Sequence, residues 1–223
     1  MTPKLLIQAI SKFLTGIALV AVLVFVPAGT IDFKNGWIFM SVLFIPMLLA
    51  GIILFARNPK LLARRLNAKE KQAEQQLVVK LSGLMFLAGF ILAGLDHRYG
   101  WTHLPDAVVI IAAVIFLAGY AMYAEVLREN TYLSRTIEVT ADQKVIDTGL
   151  YGIVRHPMYL ATVVMFMAIP LILGSLISFL VFCAYPLLIA ARIRNEEKVL
   201  EAELPGYTEY KLKVKYRMIP FIW

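Results

Sequence analysis

The sequence predicts an all-α integral membrane protein with about six transmembrane helices. Its 223 residues are 60% hydrophobic and only 17% charged, whereas a soluble domain is about half apolar and about a quarter charged. The mean hydropathy is +0.74, and the apolar residues are collected in long runs that contain no charge. A soluble core does not need such runs. The net charge of +7 is therefore better explained by basic cytoplasmic loops than by nucleic-acid binding.

The first half of the chain contains four apolar segments of the right length to cross a bilayer. A helix needs about 20 residues to cross the hydrocarbon core. Residues 13–31, 35–56 and 107–124 each provide a charge-free run. The segment 81–95 is shorter, but it extends back to Leu77 if the Lys80 side chain reaches to the membrane surface. Residues 1–127 are therefore predicted to form a four-span membrane region.

The last apolar run is too long for a single crossing. Residues 158–191 are 34 residues without a charge, which would form a helix about 51 Å long at about 1.5 Å per residue. Pro170, Gly174 and Ser175 lie near its middle and indicate a turn. The run is predicted to be a tight hairpin of two short spans, within a catalytic core at residues 128–223. That core also includes a cytoplasmic loop, a C-terminal helix and a tail.

The distribution of basic residues predicts the orientation. If the N-terminus is cytoplasmic and each span crosses once, 20 of the 22 Lys and Arg residues lie on the cytoplasmic side, and only Lys34 and Arg98 lie outside. Cytoplasmic loops carry this excess in membrane proteins. Both termini are therefore predicted to be cytoplasmic, and a candidate site is expected on that face.

Three loop segments lead to smaller expectations. Residues 57–76 are basic and rich in helix formers, which predicts an amphipathic surface helix. Residues 136–139 and 144–146 are candidates for a short pair of strands. The segment 96–106 holds Asp96, His97, His103 and Asp106, but without the helical spacing of metal ligands it is interpreted as a solvated loop.

The densest polar stretch is Gly-Leu-Tyr-Gly-Ile-Val-Arg-His-Pro-Met-Tyr at residues 149–159. Pro157 begins the fifth span, where its missing N–H costs nothing, and it disfavours a helical conformation at His156. Arg155, His156 and Tyr159 are therefore held at the mouth of a membrane helix. The plainer interpretation is an interfacial anchor, since Tyr favours that depth and Arg reaches it.

A second motif, Arg-Asn-Glu-Glu, occupies residues 194–197. At about 100° per residue, Glu196 and Glu197 lie on the two sides of the apolar stripe formed by Ile193, Leu200 and Leu204. A carboxylate pair beside a packing face suits a cationic ligand. The alternative is a solvated helix with ion pairs between successive turns.

A third group follows at residues 206–220. Tyr207 and Tyr210 are three residues apart and share a helix face. They are candidates for a cage around a sulfonium group or an adenine ring, or for an interfacial aromatic belt. The segment ends in Arg-x-x-Pro at residues 217–220.

As a set in this order, the three motifs and the hydrophobic hairpin resemble the isoprenylcysteine carboxyl methyltransferase family, which is grouped with the phospholipid methyltransferases. The resemblance covers about the last 95 residues. It implies transfer of a methyl group from S-adenosylmethionine, giving S-adenosylhomocysteine, to a lipophilic or lipidated acceptor that enters from the bilayer. Carboxyl O-methylation of an isoprenylcysteine-like substrate is the expected reaction, with no metal and no nucleic acid involved.

The resemblance also assigns site residues. The cofactor pocket is expected on the cytoplasmic side, with Arg155 and Arg217 as candidates for orienting an acceptor carboxylate or phosphate. If the acceptor were an amine or a thiol, His156 or Glu197 would be the candidate base. Residues expected to bind the cofactor are Gly149, Leu150, Tyr151, His156, Pro157, Tyr159, Glu196, Glu197, Tyr207 and Tyr210, and those expected to be catalytic are Arg155, Glu197 and Arg217.

Two alternatives belong to other functional classes. Membrane sterol-type reductases share a similar Arg-His-Pro-x-Tyr segment and tail but use NADPH. They are expected to carry an Asp-x-x-Arg-Cys-like patch where this chain has Glu196 and Glu197, whose carboxylates would repel a 2′-phosphate. A non-enzymatic scaffold or transporter is disfavoured by the cytoplasmic polar motifs and by the shortage of charge within the spans.

Overall fold

The computed structural model describes residues 3–67, 73–133, 139 and 142–223, without the side chains of residues 73 and 74. All regular structure in these ranges is helical. The α-helices are α1 (Pro3–Ala28), α2 (Lys34–Arg57), α3 (Pro59–Leu66), α4 (Ala73–Tyr99), α5 (Asp106–Glu129), α6 (Pro157–Ile172), α7 (Leu176–Phe182), α8 (Ala184–Glu203) and α9 (Tyr207–Lys213). A short 3₁₀-helix, Gly149–Gly152, precedes α6.

Five segments of the described chain are long and apolar enough to cross a membrane. They are Pro3–Ala28, Lys34–Arg57, Gln75–Tyr99, Asp106–Glu129 and Leu176–Glu203. The chain is therefore a multi-pass membrane protein, as its composition predicts. The sixth predicted span corresponds to α6, which has 16 residues and is about 24 Å long. It is shorter than the other five, so the count of six crossings stays a prediction.

The long apolar run divides where the sequence predicts a break. Gly174 has a φ of +80°, which favours glycine. The Ser175 side chain then caps α7 by accepting a hydrogen bond from the Ser178 amide at 3.1 Å. The two arms are unequal, because α7 and α8 together extend to Glu203 while α6 ends at Ile172. Pro170 lies in the last turn of α6 rather than at the break.

Close helix contacts place α6 and α8 within the bundle. Helix α5 packs along α6, and α4 packs against α7 and α8. Gly89 of α4 allows this approach, because an added Cβ would lie only 2.3 Å from the Phe182 ring. Small residues serve the same purpose at many membrane helix interfaces. Phe182 is fully buried, and it packs against Phe86 and Phe90 of α4.

The end of the bundle away from the polar motifs contains a buried carboxylate. Asp96 is 1% exposed and accepts hydrogen bonds from the Thr102 amide at 2.7 Å, the Thr102 hydroxyl at 2.6 Å and the Ser175 hydroxyl at 2.5 Å. The expectation of a solvated loop is therefore wrong for Asp96, since these donors replace water around it. Within the described ranges, no cluster of His, Cys, Asp and Glu is arranged to hold a metal ion.

The basic segment 57–76 is only partly a separate helix. Helix α3 is amphipathic, with Leu61 and Leu62 buried, and the Asn58 side chain caps it by accepting from the Leu61 amide at 3.1 Å. It ends at Leu66, and residues 68–72 lie outside the described residues. Of the candidate strands, residues 136–138 also lie outside them, and residues 144–146 have no regular secondary structure.

Candidate functional site

The predicted site residues come together where the start of α6, the C-terminal half of α8 and the tail meet. His156 has a non-helical φ of −126° and ψ of 60°, and Pro157 is the first residue of α6, as its chemistry predicts. The backbone amides of Arg155 and His156 donate to the carbonyls of Tyr216 and Arg217 at 2.9 and 2.7 Å. The tail is thereby fixed beside the Arg-His-Pro segment.

Glu197 is the centre of a buried charge cluster. The residue is 2% exposed, and its Oε1 accepts from Arg155 Nε at 2.7 Å and lies 3.3 Å from His156 Nε2. Its Oε2 accepts from Arg217 Nε at 2.8 Å. Arg155 Nη1 also donates to the carbonyls of Val214 and Lys215 at 2.7 and 2.8 Å. The cluster therefore ties α8, the start of α6 and the tail together.

Glu196, one residue earlier, faces a different environment. Its side chain is 21% exposed, and its Oε1 lies 4.0 Å from His156 Nδ1. Its Oε2 accepts a 2.5 Å hydrogen bond from the Tyr159 hydroxyl, which in turn accepts from Arg192 Nε at 2.8 Å. Because successive helical residues point about 100° apart, one carboxylate of the pair faces the tail and the other faces an adjacent cavity.

This cavity has a volume of about 830 Å³, counted with the part that is open to solvent. Its walls come from the residues after α5, the loop 143–146, the Arg-His-Pro segment, α8 and α9. Arg192, Glu196, Leu200 and Leu204 form the wall that α8 contributes.

Three tyrosines line the cavity near α9. The Tyr210 hydroxyl donates to the Tyr151 carbonyl at 2.7 Å, and the Tyr151 hydroxyl accepts from Asn130 Nδ2 at 3.0 Å. The Tyr207 hydroxyl is buried without a hydrogen-bond partner among the described residues. Burial raises the pKa of all three phenols. They are therefore neutral and keep their protons at neutral pH.

The 3₁₀-turn that carries Tyr151 begins at a glycine. Gly149 has a φ of +55°, and an added Cβ would lie 3.1 Å from Glu129 Oε2. Thr148 donates a side-chain hydrogen bond to the same Glu129 carboxylate. These contacts hold the 3₁₀-turn that carries Tyr151 against the end of α5.

Seven of the predicted site residues line the cavity: Tyr151, Arg155, His156, Tyr159, Glu196, Tyr207 and Tyr210. The other five, Gly149, Leu150, Pro157, Glu197 and Arg217, do not belong to the wall that the described residues form. Glu197 and Arg217 belong instead to the buried charge cluster beside it.

Several lining residues are absent from the sequence prediction. Leu200 and Leu204 follow Glu196 at intervals of four residues, and Arg192 precedes it by four, so a search for one helix face would have found all three. Asn130 and the loop 143–146 carry no such signal, because a distant chain contact places them.

The match to known families covers the same region. Residues 108–202 match the family model described as "Isoprenylcysteine carboxyl methyltransferase (ICMT) family". The matched residues extend from α5 to the end of α8. They include the Arg-His-Pro segment and both glutamates, whereas Tyr207, Tyr210 and Arg217 lie beyond them.

Two individual proteins are also similar to the chain. The Delta(14)-sterol reductase TM7SF2 of Mus musculus is 32% identical over 91 residues, which are 40% of this chain and 22% of that protein. The chain thus spans about a fifth of the length of that relative. A solved structure of the eukaryotic intramembrane Ras methyltransferase ICMT superposes with a TM-score of 0.49 at 16% identity, covering 96% of this chain and 84% of that chain.

The family match agrees with the motifs that carry the resemblance in the sequence. Residues 108–202, which are less than half of the chain, are thus similar to the isoprenylcysteine carboxyl methyltransferase family.

Proposed function

We propose that the protein is a membrane methyltransferase that uses S-adenosylmethionine to methylate a lipophilic acceptor. The observation that carries this proposal is the Glu196 carboxylate, which faces the cavity and lies inside the region that matches a methyltransferase family model. A carboxylate in a partly buried wall favours a positively charged ligand. S-adenosylmethionine carries a sulfonium and an ammonium group, so it suits this wall.

The other lining residues also fit this cofactor. Leu200 and Leu204 offer apolar surface to a nucleobase, and the Tyr207 hydroxyl has no hydrogen-bond partner among the described residues. When bound, S-adenosylmethionine supplies a methyl group on a positively charged sulfur. The chain has to hold and align it, and alignment alone can lower a barrier by about 7–11 kcal/mol. Tyr159 fixes Glu196 for that purpose by donating to its Oε2.

The roles of the three arginines follow from their contacts. Arg155 is committed to Glu197 and to two tail carbonyls, and Arg217 donates to Glu197. We therefore assign both as positioning residues that hold the tail against α6. Arg192 donates to the Tyr159 hydroxyl and lines the cavity one helical turn from Glu196, and a guanidinium group has five N–H donors and suits a carboxylate partner. We assign Arg192 to the carboxylate of the acceptor.

The expected reaction is carboxyl O-methylation of an isoprenylcysteine-like acceptor that enters from the bilayer. A carboxylate is already deprotonated at neutral pH, so no general base is needed. The distribution of basic residues supports a cytoplasmic side for both termini and for the cavity. In this proposal residues 1–127 form the membrane region, and residues 128–223 form the catalytic core.

A methyl-transfer assay tests the proposal. The purified protein is incubated with labelled S-adenosylmethionine and N-acetyl-S-farnesylcysteine, and the methyl ester is measured. The matched carboxamide, which has no carboxylate to methylate, is the control. We expect ester from the acid and none from the amide. Arg192→Gln should raise KM for the acid about tenfold without changing the affinity for S-adenosylhomocysteine. Equal labelling of acid and amide would contradict carboxyl methylation.

A sterol-type reductase is the second candidate, and the similarity to Delta(14)-sterol reductase TM7SF2 favours it. The Glu196 carboxylate in the cavity wall opposes it, because it would repel the 2′-phosphate of NADPH. The methyltransferase is therefore our first choice.

A further inference from the structure

The cavity has two chemically different ends along α8. Arg192, Glu196, Leu200 and Leu204 are spaced four residues apart, so each neighbours the next along the helix, and all four line the cavity. The first and last are separated by about 18 Å along the helix axis at about 1.5 Å per residue. The end nearest the apolar run is charged, with Arg192 and Glu196. The opposite end, near α9, is apolar.

The apolar end is part of a separate buried cluster. Leu204, Tyr207, Tyr210 and Val214 are its buried members, and Leu200 and Val145 are among the residues that pack against them. The rings of Tyr207 and Tyr210 have centroids 5.8 Å apart. Apolar and aromatic surface of this kind suits a flat heterocycle.

Within that cluster, Tyr207 has an unsatisfied hydroxyl. The residue is 4% exposed and lines the cavity, but its hydroxyl has no partner among the described residues. Tyr210 differs, since its hydroxyl donates to the Tyr151 carbonyl. Buried polar groups in proteins are nearly always hydrogen-bonded, so an exception requires an explanation.

The Tyr207 phenol is a proton donor under all ordinary conditions. Burial raises its pKa, and the negative charges of Glu197 and Glu196 raise it further. A neutral phenol can donate to an aromatic ring nitrogen, which is a good acceptor within an otherwise apolar wall.

We propose that Tyr207 recognises the nucleobase of the cofactor, by donating its hydroxyl hydrogen to a ring nitrogen of an adenine held beside Leu200, Leu204 and Tyr210. The assignment rests on the proposed function. It orients the cofactor along α8, with the adenine at the α9 end and the positive charge at Glu196. The reactive end then lies beside the apolar run, where an acceptor from the bilayer arrives.

Binding of S-adenosylhomocysteine and its ring analogues tests this assignment. The full-length protein and Tyr207→Phe are titrated by calorimetry with S-adenosylhomocysteine and its 1-deaza, 3-deaza and 7-deaza forms, each of which lacks one adenine ring nitrogen. We expect Tyr207→Phe to bind S-adenosylhomocysteine about 3- to 10-fold more weakly than the wild type. One deaza compound should bind the wild type more weakly than S-adenosylhomocysteine does, by the same factor. Tyr207→Phe should bind that compound and S-adenosylhomocysteine with equal affinity.

Tyr210→Phe is the matched control. Its hydroxyl supports the Tyr151 carbonyl rather than facing a ligand, so any loss should be equal for all four compounds. If Tyr207→Phe bound S-adenosylhomocysteine as the wild type does, or lost affinity equally for all four compounds, the assignment would be wrong. If the wild type bound none of them, the proposed function itself would fail.

Thermal unfolding without ligand distinguishes a ligand-binding role of the Tyr207 hydroxyl from a structural one, because the two roles predict opposite changes in the unfolding temperature of Tyr207→Phe. Because the hydroxyl has no partner in the part of the chain that the structure describes, Tyr207→Phe should unfold at the wild-type temperature or above it. The shift produced by S-adenosylhomocysteine should be smaller than for the wild type. A lower unfolding temperature for ligand-free Tyr207→Phe would show that the hydroxyl has a structural partner, and would overturn the assignment.

Discussion

Glu196 and Glu197 are neighbours in the sequence, yet their carboxylates have opposite surroundings. Glu197 is buried among His156, Arg155 and Arg217, whereas Glu196 contacts Tyr159 and faces the cavity. A carboxylate whose two oxygens both accept from arginines has little capacity left for a ligand. In our proposal, Glu197 therefore positions the site, and Glu196 is the carboxylate that faces a bound cation.

Glu197→Gln is expected to destabilise the protein. It removes the negative charge between the two arginines and leaves the Arg155 guanidinium, which is 4% exposed, without its carboxylate. Breaking a buried pair from one side costs about 3–5 kcal/mol in the free energy of unfolding. Chemical denaturation in detergent measures this loss.

Glu201→Gln is the matched control for that measurement. Glu201 pairs with Lys211, but their side chains are 39% and 36% exposed, so the change should cost less than about 1 kcal/mol. If both variants lost the same free energy of unfolding, the Glu197 cluster would stabilise the protein no more than a surface ion pair does.

The sequence alone could not separate the two glutamates. Helical periodicity places both beside the stripe of Ile193, Leu200 and Leu204, and nothing local distinguishes them. The distinction comes from Arg217, which lies 20 residues after Glu197 and reaches its Oε2. Contacts of this range depend on the path of the tail and leave no periodic signal.

At the scale of elements, the apolar runs predicted the spans well. Uninterrupted apolar length is required wherever a helix crosses lipid, so the signal is strong and local. The break at Gly174 was also predictable from the sequence, because a turn with a φ of +80° favours glycine. The unequal lengths on the two sides of Gly174 could not be predicted in the same way, because α8 continues into its charged second half without a stop signal before Leu204.

Gly89→Ala tests the close packing of α4 on α7. The new Cβ would lie 2.3 Å from the Phe182 ring, and Phe182 is fully buried. Overpacking of this kind costs about 1–3 kcal/mol, which should appear as a lower unfolding temperature.

Gly83→Ala is the control on the same helix. An added Cβ there meets nothing within 4 Å, so the unfolding temperature should be unchanged or slightly higher. If Gly83→Ala destabilised the protein as much as Gly89→Ala, the effect would not come from contact with Phe182.

At the scale of the whole molecule, the candidate site is assembled from segments distant in sequence. The end of α5, the loop 143–146, the start of α6, α8 and the tail all contribute to one cavity. The sequence predicted the segments with dense polar motifs. It did not predict Asn130 or the loop 143–146, because long-range packing rather than residue type brings them to the cavity.

In our proposal, the arrangement of charge links this site to the membrane. Charged lining residues lie near the apolar run of α8, and the apolar end lies near α9. A lipophilic acceptor with a polar head would therefore meet the charged end first. In the predicted topology, the excess of basic residues lies on the cytoplasmic side, where we expect the cavity.

The most direct test of the central claim is to compare binding of S-adenosylmethionine, S-adenosylhomocysteine and NADPH to the wild type and to Glu196→Gln in detergent. We expect the wild type to bind both S-adenosyl compounds and not NADPH. Glu196→Gln should bind S-adenosylmethionine about tenfold more weakly, since it loses one charge-assisted contact. Its affinity for S-adenosylhomocysteine should fall less, because that compound lacks the sulfonium charge. Binding of NADPH in place of the S-adenosyl compounds would contradict the methyltransferase assignment. Equal losses for both S-adenosyl compounds would contradict the role of Glu196 at the sulfonium.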